Sequence, residues 1–205
     1  MKVALVHDWL TGIRGGEKCL EVLCEIYPDA HLYTLICDKN ILSPSLKRMD
    51  IRTSNLRFFP FVGKYYRYLL PIMPAAIERF ELKGYDLVIS SSHCVAKGIR
   101  TEKNTYHICY CFTPMRYIWD QSSQYFNKTT AGPLTRFIFK LLKKYLQNWD
   151  RKSAGKVDHF VAISHHVSNR IKKFYNRGSV VIYPPVSTNF FELSNSVDDY
   201  YLVVS

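Results

Sequence analysis

The sequence has no apolar run long enough to cross a bilayer. Its longest uncharged apolar stretch, Tyr68 to Ile77, contains two prolines and falls well short of the roughly 20 residues a spanning helix needs. None of the six cysteines forms a CxxC pair, which argues against a thioredoxin-like or zinc-ribbon site. Neither GxGxxG nor GxxxxGK(S/T) occurs, so nicotinamide-binding and nucleoside-triphosphatase readings are weak. Repeats and low-complexity tracts are absent, which excludes solenoid and disordered classes. A secretory leader is not expected, because Asp8 interrupts the first apolar stretch and no small-residue cleavage site follows. A cytoplasmic chain with reduced cysteines is therefore expected. Acidic residues are scarce: 17 Asp and Glu face 28 Lys and Arg, a net charge of +11. That excess favours an anionic partner, whether nucleic acid, anionic lipid or a phosphorylated small molecule.

The 205 residues, 47% apolar and 22% charged, suit one sizeable α/β domain. Strand-like runs occur at Val3–Val6, His31–Ile36, Tyr85–Ser90, His107–Cys111, His159–Ile163 and Ser179–Tyr183, with helical patterns between most of them. Several runs are apolar throughout, as in parallel sheets covered on both faces. The expected fold is a doubly wound, mostly parallel, Rossmann-like sheet. Ligands of such sheets lie beyond the carboxyl ends of the strands, which directs attention to Asp8 to Gly16, Ser91 to Lys97, Phe112 to Asp120, Ser164 to His166 and Pro184 to Ser187. Cys109 and Cys111 share a strand face, where buried packing is the simple reading and a redox or metal pair the alternative.

At the N-terminus, Val3 to Val6 run into a loop bearing Gly12, Gly15 and Gly16, after which Leu20, Leu23, Cys24 and Tyr27 recur at helical spacing. A helix beginning at Gly15 or Gly16 aims free N–H groups and its positive dipole end above the strand, where an anion binds readily. The glycines are read equally well as a tight turn needing positive φ. Asp38 stands where a dinucleotide fold places its ribose acid, but is more simply a turn residue.

Three further segments carry chemistry. In YDLVISSSHCVAKG, His93 and Lys97 share a face if a helix begins there, with His93 free to bond a sugar or phosphate or else satisfied by local backbone. In CFTPMRYIWDQ, Arg116 can grip an anion and Tyr117 and Trp119 can stack on a sugar, or Arg116 simply pairs with Asp120 four residues on. Arg57 to Pro74 hold six aromatics and three bases with no acid, a composition fitting interfacial docking on anionic lipid through Arg57, Lys64, Tyr65 and Arg67. Leu134 to Trp149 read as a long amphipathic helix whose apolar stripe is core.

The words VHDWLTGIRGGEK, LLPIMPAAIERFELKGYDLVISSSHCVAKG, HICYCFTPMRYIWD, DHFVAIS, VVIYPPVS and YYLVVS together resemble bacterial glycosyltransferases of family 4, in particular the mannosyl and rhamnosyl type that build O-antigen and other surface polysaccharides. The resemblance implies the N-terminal, acceptor-side half of a GT-B enzyme: residues 1–191 as a Rossmann-like domain, 192–199 as a linker and 200–205 as the first strand of a donor-binding domain beyond the chain. It implies retaining transfer from a GDP-, UDP- or dTDP-sugar, with no metal or other cofactor. The acceptor would be a lipid-linked oligosaccharide at the inner membrane surface, with no nucleic-acid partner. Gly15 and Gly16 match the loop near the donor diphosphate, and His93 the region near the transferred sugar. Asp8, Lys97, Arg116 and Tyr117 are expected to line the cleft. Relatives commonly carry histidine where this chain has Phe112, which removes one polar contact. The alternative is a non-catalytic basic α/β module that binds anionic lipid or nucleic acid.

Overall fold

The computed structural model describes residues 1–120 and 133–186, together with 188, 199 and 201. In the helix that begins at 133, side chains are described from 140 onward. Seven strands, Val3–His7 (β1), His31–Thr34 (β2), Asp50–Thr53 (β3), Leu87–Ser92 (β4), Tyr106–Cys111 (β5), His159–Ala162 (β6) and Val180–Val181 (β7), form one sheet in the order β3-β2-β1-β4-β5-β6-β7. Every pairing is parallel. The chain starts in the middle of the sheet, steps outward to β3, then returns past β1 to β4. That reversal makes the β1/β4 boundary the topological switch point of a doubly wound, Rossmann-like fold.

The central strand shows why the sequence folds this way. All five residues of β1 are buried, Ala4 and Val6 in the apolar cluster on one face and Val3 and Leu5 in the cluster on the other. A strand covered on both faces reads as a near-continuous apolar run, here Val3 to Val6 before the buried His7. One layer includes Gly15–Ile26 (α1), which contributes Leu20 and Cys24 to the Leu5 side, and the short Pro44–Lys47 (α2), which contributes Leu46. On the other face pack Met73–Glu78 (α4) and Pro133–Ala154 (α5), through Ile77, Leu146 and the half-buried Trp149. His165–Tyr175 (α6) closes a third cluster over β5 and β6 with Val167 and Ile171. Ser164 caps α6 by accepting the Val167 N–H at 3.2 Å, an arrangement that satisfies one of the free donors of the first turn.

Six of these strands were expected, and β3 was not. Asp50–Thr53 is an edge strand with two exposed residues, so it lacks the apolar continuity that marks its neighbours. β4 runs two residues later than expected, because Ser90, Ser91 and Ser92 are buried and pair with Cys109, Tyr110 and Cys111. The long helix extends to Ala154 instead of Trp149. Of its expected core stripe, Leu146 is buried but Leu141 and Tyr145 are exposed. The side chains of Leu134, Phe137 and Ile138 lie outside the described residues, as do the expected linker and terminal strand apart from Asp199 and Tyr201.

Between β3 and α4 the chain forms no long helix. Asn55–Phe58 and Tyr66–Leu69 are 3-10 turns on either side of the four-residue Val62–Tyr65 (α3), since Pro60 and Pro71 remove N–H donors and clash with a continuing helix. Leu56 and Tyr66 anchor the segment in the core. Phe58, Phe61 and Tyr68 stand 71%, 81% and 81% exposed.

Candidate functional site

The switch point is built around one carboxylate. Asp8, immediately after β1, is fully buried. Its Oδ2 accepts the N–H groups of His93 and Cys94 at 2.7 and 3.0 Å, and its Oδ1 those of Val95 and Ala96 at 2.6 and 2.7 Å. Four backbone donors thus converge on one anion and fix the turn that leaves β4. Burial works to raise the Asp8 pKa, but the His93 charge and hydrogen bonds, the nearby His7 and the amides outweigh it and hold the carboxyl well below the usual range. Above it, His93 Nδ1 lies 3.0 Å from Asp8 Oδ2, with the side chain 27% exposed. Trp9 meets the imidazole edge-on at 4.6 Å between ring centroids and Tyr66 at 5.0 Å. With Nδ1 committed to Asp8, Nε2 remains to contact a ligand, since no described residue bonds it.

Beside this pair begins α1. The amides of Gly15 and Gly16 precede the first intrahelical bond, which Lys18 N–H donates to Arg14 C=O at 3.0 Å, while the Glu17 amide bonds its own carboxylate, so the two glycine amides are the free donors of the helix. The turn reading of the glycines is corrected: among the described glycines only Gly84 has positive φ. Gly15 faces open space, whereas a Cβ on Gly16 would lie 3.4 Å from the Phe112 ring and 3.8 Å from His7 Cε1. Phe112, which was expected to cost a polar contact, packs beneath the start of α1 with its ring 6.4 Å from that of His7. His7 itself is buried, its Nδ1 2.7 Å from Ser91 Oγ. Its Nε2 has no hydrogen-bond partner and stands 4.0 Å from Glu17 Oε1. Burial raises the Glu17 pKa, but His7 and the first-turn amides leave it below its ordinary value.

The segment after β5 forms the third wall. Met115 and Ile118 are buried anchors, Arg116 is exposed and Tyr117 half-buried. The alternative reading, an Arg116–Asp120 pair, is not what forms. Asp120 instead pairs with Arg170 of α6, which also donates to Pro114 C=O at 3.3 Å. Burial, then the neighbouring Arg116 cation, push the Arg170 pKa below its ordinary value. Two guanidinium groups thus stand close at the carboxyl end of β5, and Arg116 makes no ion pair with a described residue.

Two cleft expectations are corrected by burial. Asp8 is fully buried beneath His93, with its Oδ2 3.0 Å from His93 Nδ1. Lys97 does not share a helix face with His93, because the chain there forms a turn and a short 3-10 segment, Ala96–Gly98. Its side chain is 2% exposed and pairs with Asp150 of α5. The Asp150 Oδ2 in turn accepts Trp119 Nε1–H at 2.8 Å and Tyr175 O–H at 2.9 Å. Burial lowers the Lys97 pKa, yet the Asp150 charge outweighs it and the net shift is upward. Gly98 carries no Cβ because the Trp149 ring occupies that space.

The remaining candidates fall into place simply. Asp38 is a turn residue, accepting Asn40 N–H at 3.0 Å. Cys109 and Cys111 are buried free thiols. The hydrogen bond from Cys109 and then burial push the Cys111 pKa up, and no metal-binding cluster occurs among the described residues. Arg57, Lys64, Tyr65 and Arg67 are all exposed, on a surface separate from His93 but joined to it through Tyr66 and Trp9. No described helix is long and apolar enough to cross a membrane. Sequence reasoning missed His7, Trp9 and Arg170. His7 and Trp9 flank Asp8 at a strand end and were within reach of the strand-end rule, whereas nothing local connects Arg170 to Asp120 fifty residues away.

A family model described as Glycosyltransferase Family 4 matches residues 13–190. No curated protein matches the chain. Among solved structures the chain is similar to two variants of the wall teichoic acid polymerase TagF, at 8% and 10% identity with TM-scores of 0.40 and 0.42. Each alignment covers 87% of this chain and 37% of the polymerase chain, so this chain spans little more than a third of the structures it matches.

Proposed function

The chain belongs to glycosyltransferase family 4, and we propose that it is the acceptor-side half of a two-domain GT-B enzyme that moves a hexose or deoxyhexose from a nucleotide-sugar to a lipid-linked or polysaccharide acceptor. The observation that carries this reading is the His93–Asp8 pair at the switch point, beside the free amides of α1. Sugar transfer with retention passes through an oxocarbenium-like state while the nucleoside diphosphate departs with growing negative charge. The amides of Gly15 and Gly16, the positive end of α1 and Arg116 are oriented donors for that charge. The donor is a GDP-, UDP- or dTDP-sugar, and no metal or separate cofactor takes part. Asp8, locked by four amides, holds the His93 ring so that Nε2 can bond a hydroxyl of the transferred sugar. Tyr117 offers an aromatic face to the acceptor.

Arg57, Lys64, Tyr65 and Arg67, with the exposed Phe58, Phe61 and Tyr68, support peripheral attachment at the inner membrane from the cytoplasmic side. The enzyme's acceptor is then lipid-linked surface polysaccharide of O-antigen type. The cationic grip on the donor lies in a second domain, so this chain alone transfers little or no sugar.

The test incubates the 205-residue chain, and an enzyme comprising both domains, with GDP-, UDP- and dTDP-sugars and a polyprenyl-linked oligosaccharide. Product is expected only from the two-domain enzyme, and His93→Ala in that enzyme should lower kcat by about 100-fold or more. Turnover by the chain alone overturns the half-enzyme reading, and full activity of His93→Ala removes His93 from the reaction. The exposed aromatic surface also suits a non-catalytic lipid-binding module. Absence of transfer by every form, with binding to anionic vesicles retained, would favour that alternative, while a steep salt slope with nucleic acid would favour its nucleic-acid version.

A further inference from the structure

A groove of about 410 Å³ opens at the carboxyl end of the edge strand β3, within the roughly 300–1,000 Å³ range of small-molecule sites. Leu56, Phe59, Ile72, Ala76 and Phe80 supply its apolar wall, and Thr53, Ser54 and Arg79 its polar side. We propose that this groove holds the apolar chain of the lipid-linked acceptor, with the lipid's phosphate at Arg79 and Arg57. The proposal rests on the reading of a lipid-linked acceptor and names where that lipid is held.

Charge selects the occupant. From Ile51 to Ile77 the sequence contains no Asp or Glu. The first acid after it, Glu78, is turned away, accepting Trp149 Nε1–H at 2.8 Å and pairing with Arg100 at 2.5 Å. Arg79, at the end of α4, makes no ion pair with a described residue. Arg57 donates to Oγ1 of Thr53, a groove residue, at 3.1 Å, and its guanidinium stacks over the Phe58 ring 4.6 Å from the centroid. Apolar walls beside two uncompensated guanidinium groups match an amphiphile with an anionic head.

Backbone strain points to the same surface. Phe61 has φ of 53°, in the left-handed region, yet its ring is 81% exposed and so gains no packing for that conformation. The turn holds this conformation, the Phe61 carbonyl accepting Lys64 N–H at 2.9 Å and Tyr65 N–H at 3.1 Å; strain of this kind clusters at ligand sites, and the outward ring, two residues after the groove residue Phe59, recovers its apolar area if lipid covers that surface. Distance also fits. β3 lies three strands from β4, the strand that leads into His93, or about 14 Å in the pairing direction, and all strands point the same way. A lipid seated at the β3 end therefore directs its sugar-bearing head past Tyr66 and Trp9 toward His93.

The experiment titrates farnesyl phosphate, below its aggregation concentration, into the 205-residue chain by calorimetry, with farnesol and inorganic phosphate as the two halves of the ligand. Saturable one-to-one binding of farnesyl phosphate is expected, at least tenfold weaker binding of farnesol, and no saturable binding of inorganic phosphate. Ala75→Trp, on the exposed side of α4 where Ala75 borders the groove, should weaken farnesyl phosphate at least tenfold with an unchanged melting temperature. Arg79→Gln should weaken farnesyl phosphate but not farnesol. Failure of the wild type to bind, or full binding by Ala75→Trp, overturns the proposal.

Sedimentation with vesicles of phosphatidylcholine and phosphatidylglycerol distinguishes the source of the lipid. Ala75→Trp should sediment like wild type, and loss of vesicle binding in step with farnesyl phosphate would assign the groove to a bilayer lipid instead of the acceptor. None of these arms contains a nucleotide-sugar. The groove can therefore fail while sugar transfer stands, and transfer can fail while the groove stands.

Discussion

The β1/β4 crevice and the 55–72 surface meet at Tyr66 and differ in almost everything else. In the crevice, Asp8 is saturated by four amides and His93, His93 is braced by Trp9, and little apolar area faces water. On the surface, short turns broken by proline hold Phe58, Phe61, Tyr65 and Tyr68 outward, with Phe61 in a strained conformation. One region is preorganised by the hydrogen bonds around Asp8, which form without a ligand. The other leaves apolar area and positive charge to be covered by something else. Orientation of a reacting sugar needs the first kind of construction, and reversible attachment to lipid needs the second.

The sharpest way to break the comparison is to remove the anion on which the crevice is organised. Asp8→Ala leaves four inward-pointing amides without an acceptor, and should cost about 5 kcal/mol, enough to unfold a marginal domain. Urea denaturation measures this, and a cost below about 1 kcal/mol would mean that the turn after β4 does not depend on Asp8. The same hydrogen-bonded construction continues beneath the crevice at Lys97 and Asp150. Lys97→Met strands a buried carboxylate and should cost about 4 kcal/mol. In Lys97→Met/Asp150→Asn the neutral amide oxygen still accepts from Trp119 and Tyr175, so at least half of that loss should return. A double-mutant cycle that is strictly additive would show that the pair does not interact.

How much of this was legible in the sequence follows from the range of the interactions. The strands β1 and β4 declare themselves through Val3–Val6 and Leu87–Ile89, because burial on both faces favours continuous apolar residues, whereas β5 alternates between buried and more accessible positions. β3 does not, because Asp50 and Arg52 satisfy an edge position with their side chains paired in solvent. The strand-end rule led to Asp8, Gly15, Gly16, His93 and Arg116; the structure sets Asp8, His93 and the start of α1 at the β1/β4 switch point and Arg116 beyond β5, near Arg170. It misplaced Lys97, because helical spacing was assumed where the chain makes a 3-10 turn and buries the side chain under the next helix. The Asp120–Arg170 and Lys97–Asp150 pairs join residues fifty or more positions apart, and local pattern carries no information at that separation.

Acid should expose a further weakness on the hydrogen-bonded side. His107, buried in β5 with Nε2 2.8 Å from Ser90 Oγ, has its pKa pushed down to about 4 from 6.5, by burial first and then by Lys97, with Asp158 opposing. The folded state therefore keeps this ring neutral where the unfolded chain protonates it. Stability should be unaffected by His107 above pH 6.5 and fall by roughly 3 kcal/mol as pH drops from 6.5 to 4. Asp8 adds to the loss only below the ordinary carboxylate pKa of 3.8, because its own pKa is depressed. His107→Gln should flatten the upper arm of the profile, and an unchanged slope between pH 6.5 and 4 would assign that arm to other groups.

The smallest effect on stability comes from the surface, and it should have the opposite sign. Glycine adopts φ of 53° without the Cβ clash that phenylalanine suffers there, so Phe61→Gly should raise stability by about 1 kcal/mol at most, after the entropy lost by glycine on folding is set against the relieved strain. The same change removes an exposed ring from the aromatic surface, and should weaken sedimentation with anionic vesicles several-fold. A substitution in the crevice that lowers stability leaves the exposed aromatic surface in place, whereas this one removes part of that surface and raises stability. If Phe61→Gly destabilises the chain, the ring contributes packing that its exposure does not show. If vesicle binding is unchanged, the strain at Phe61 serves something other than lipid contact.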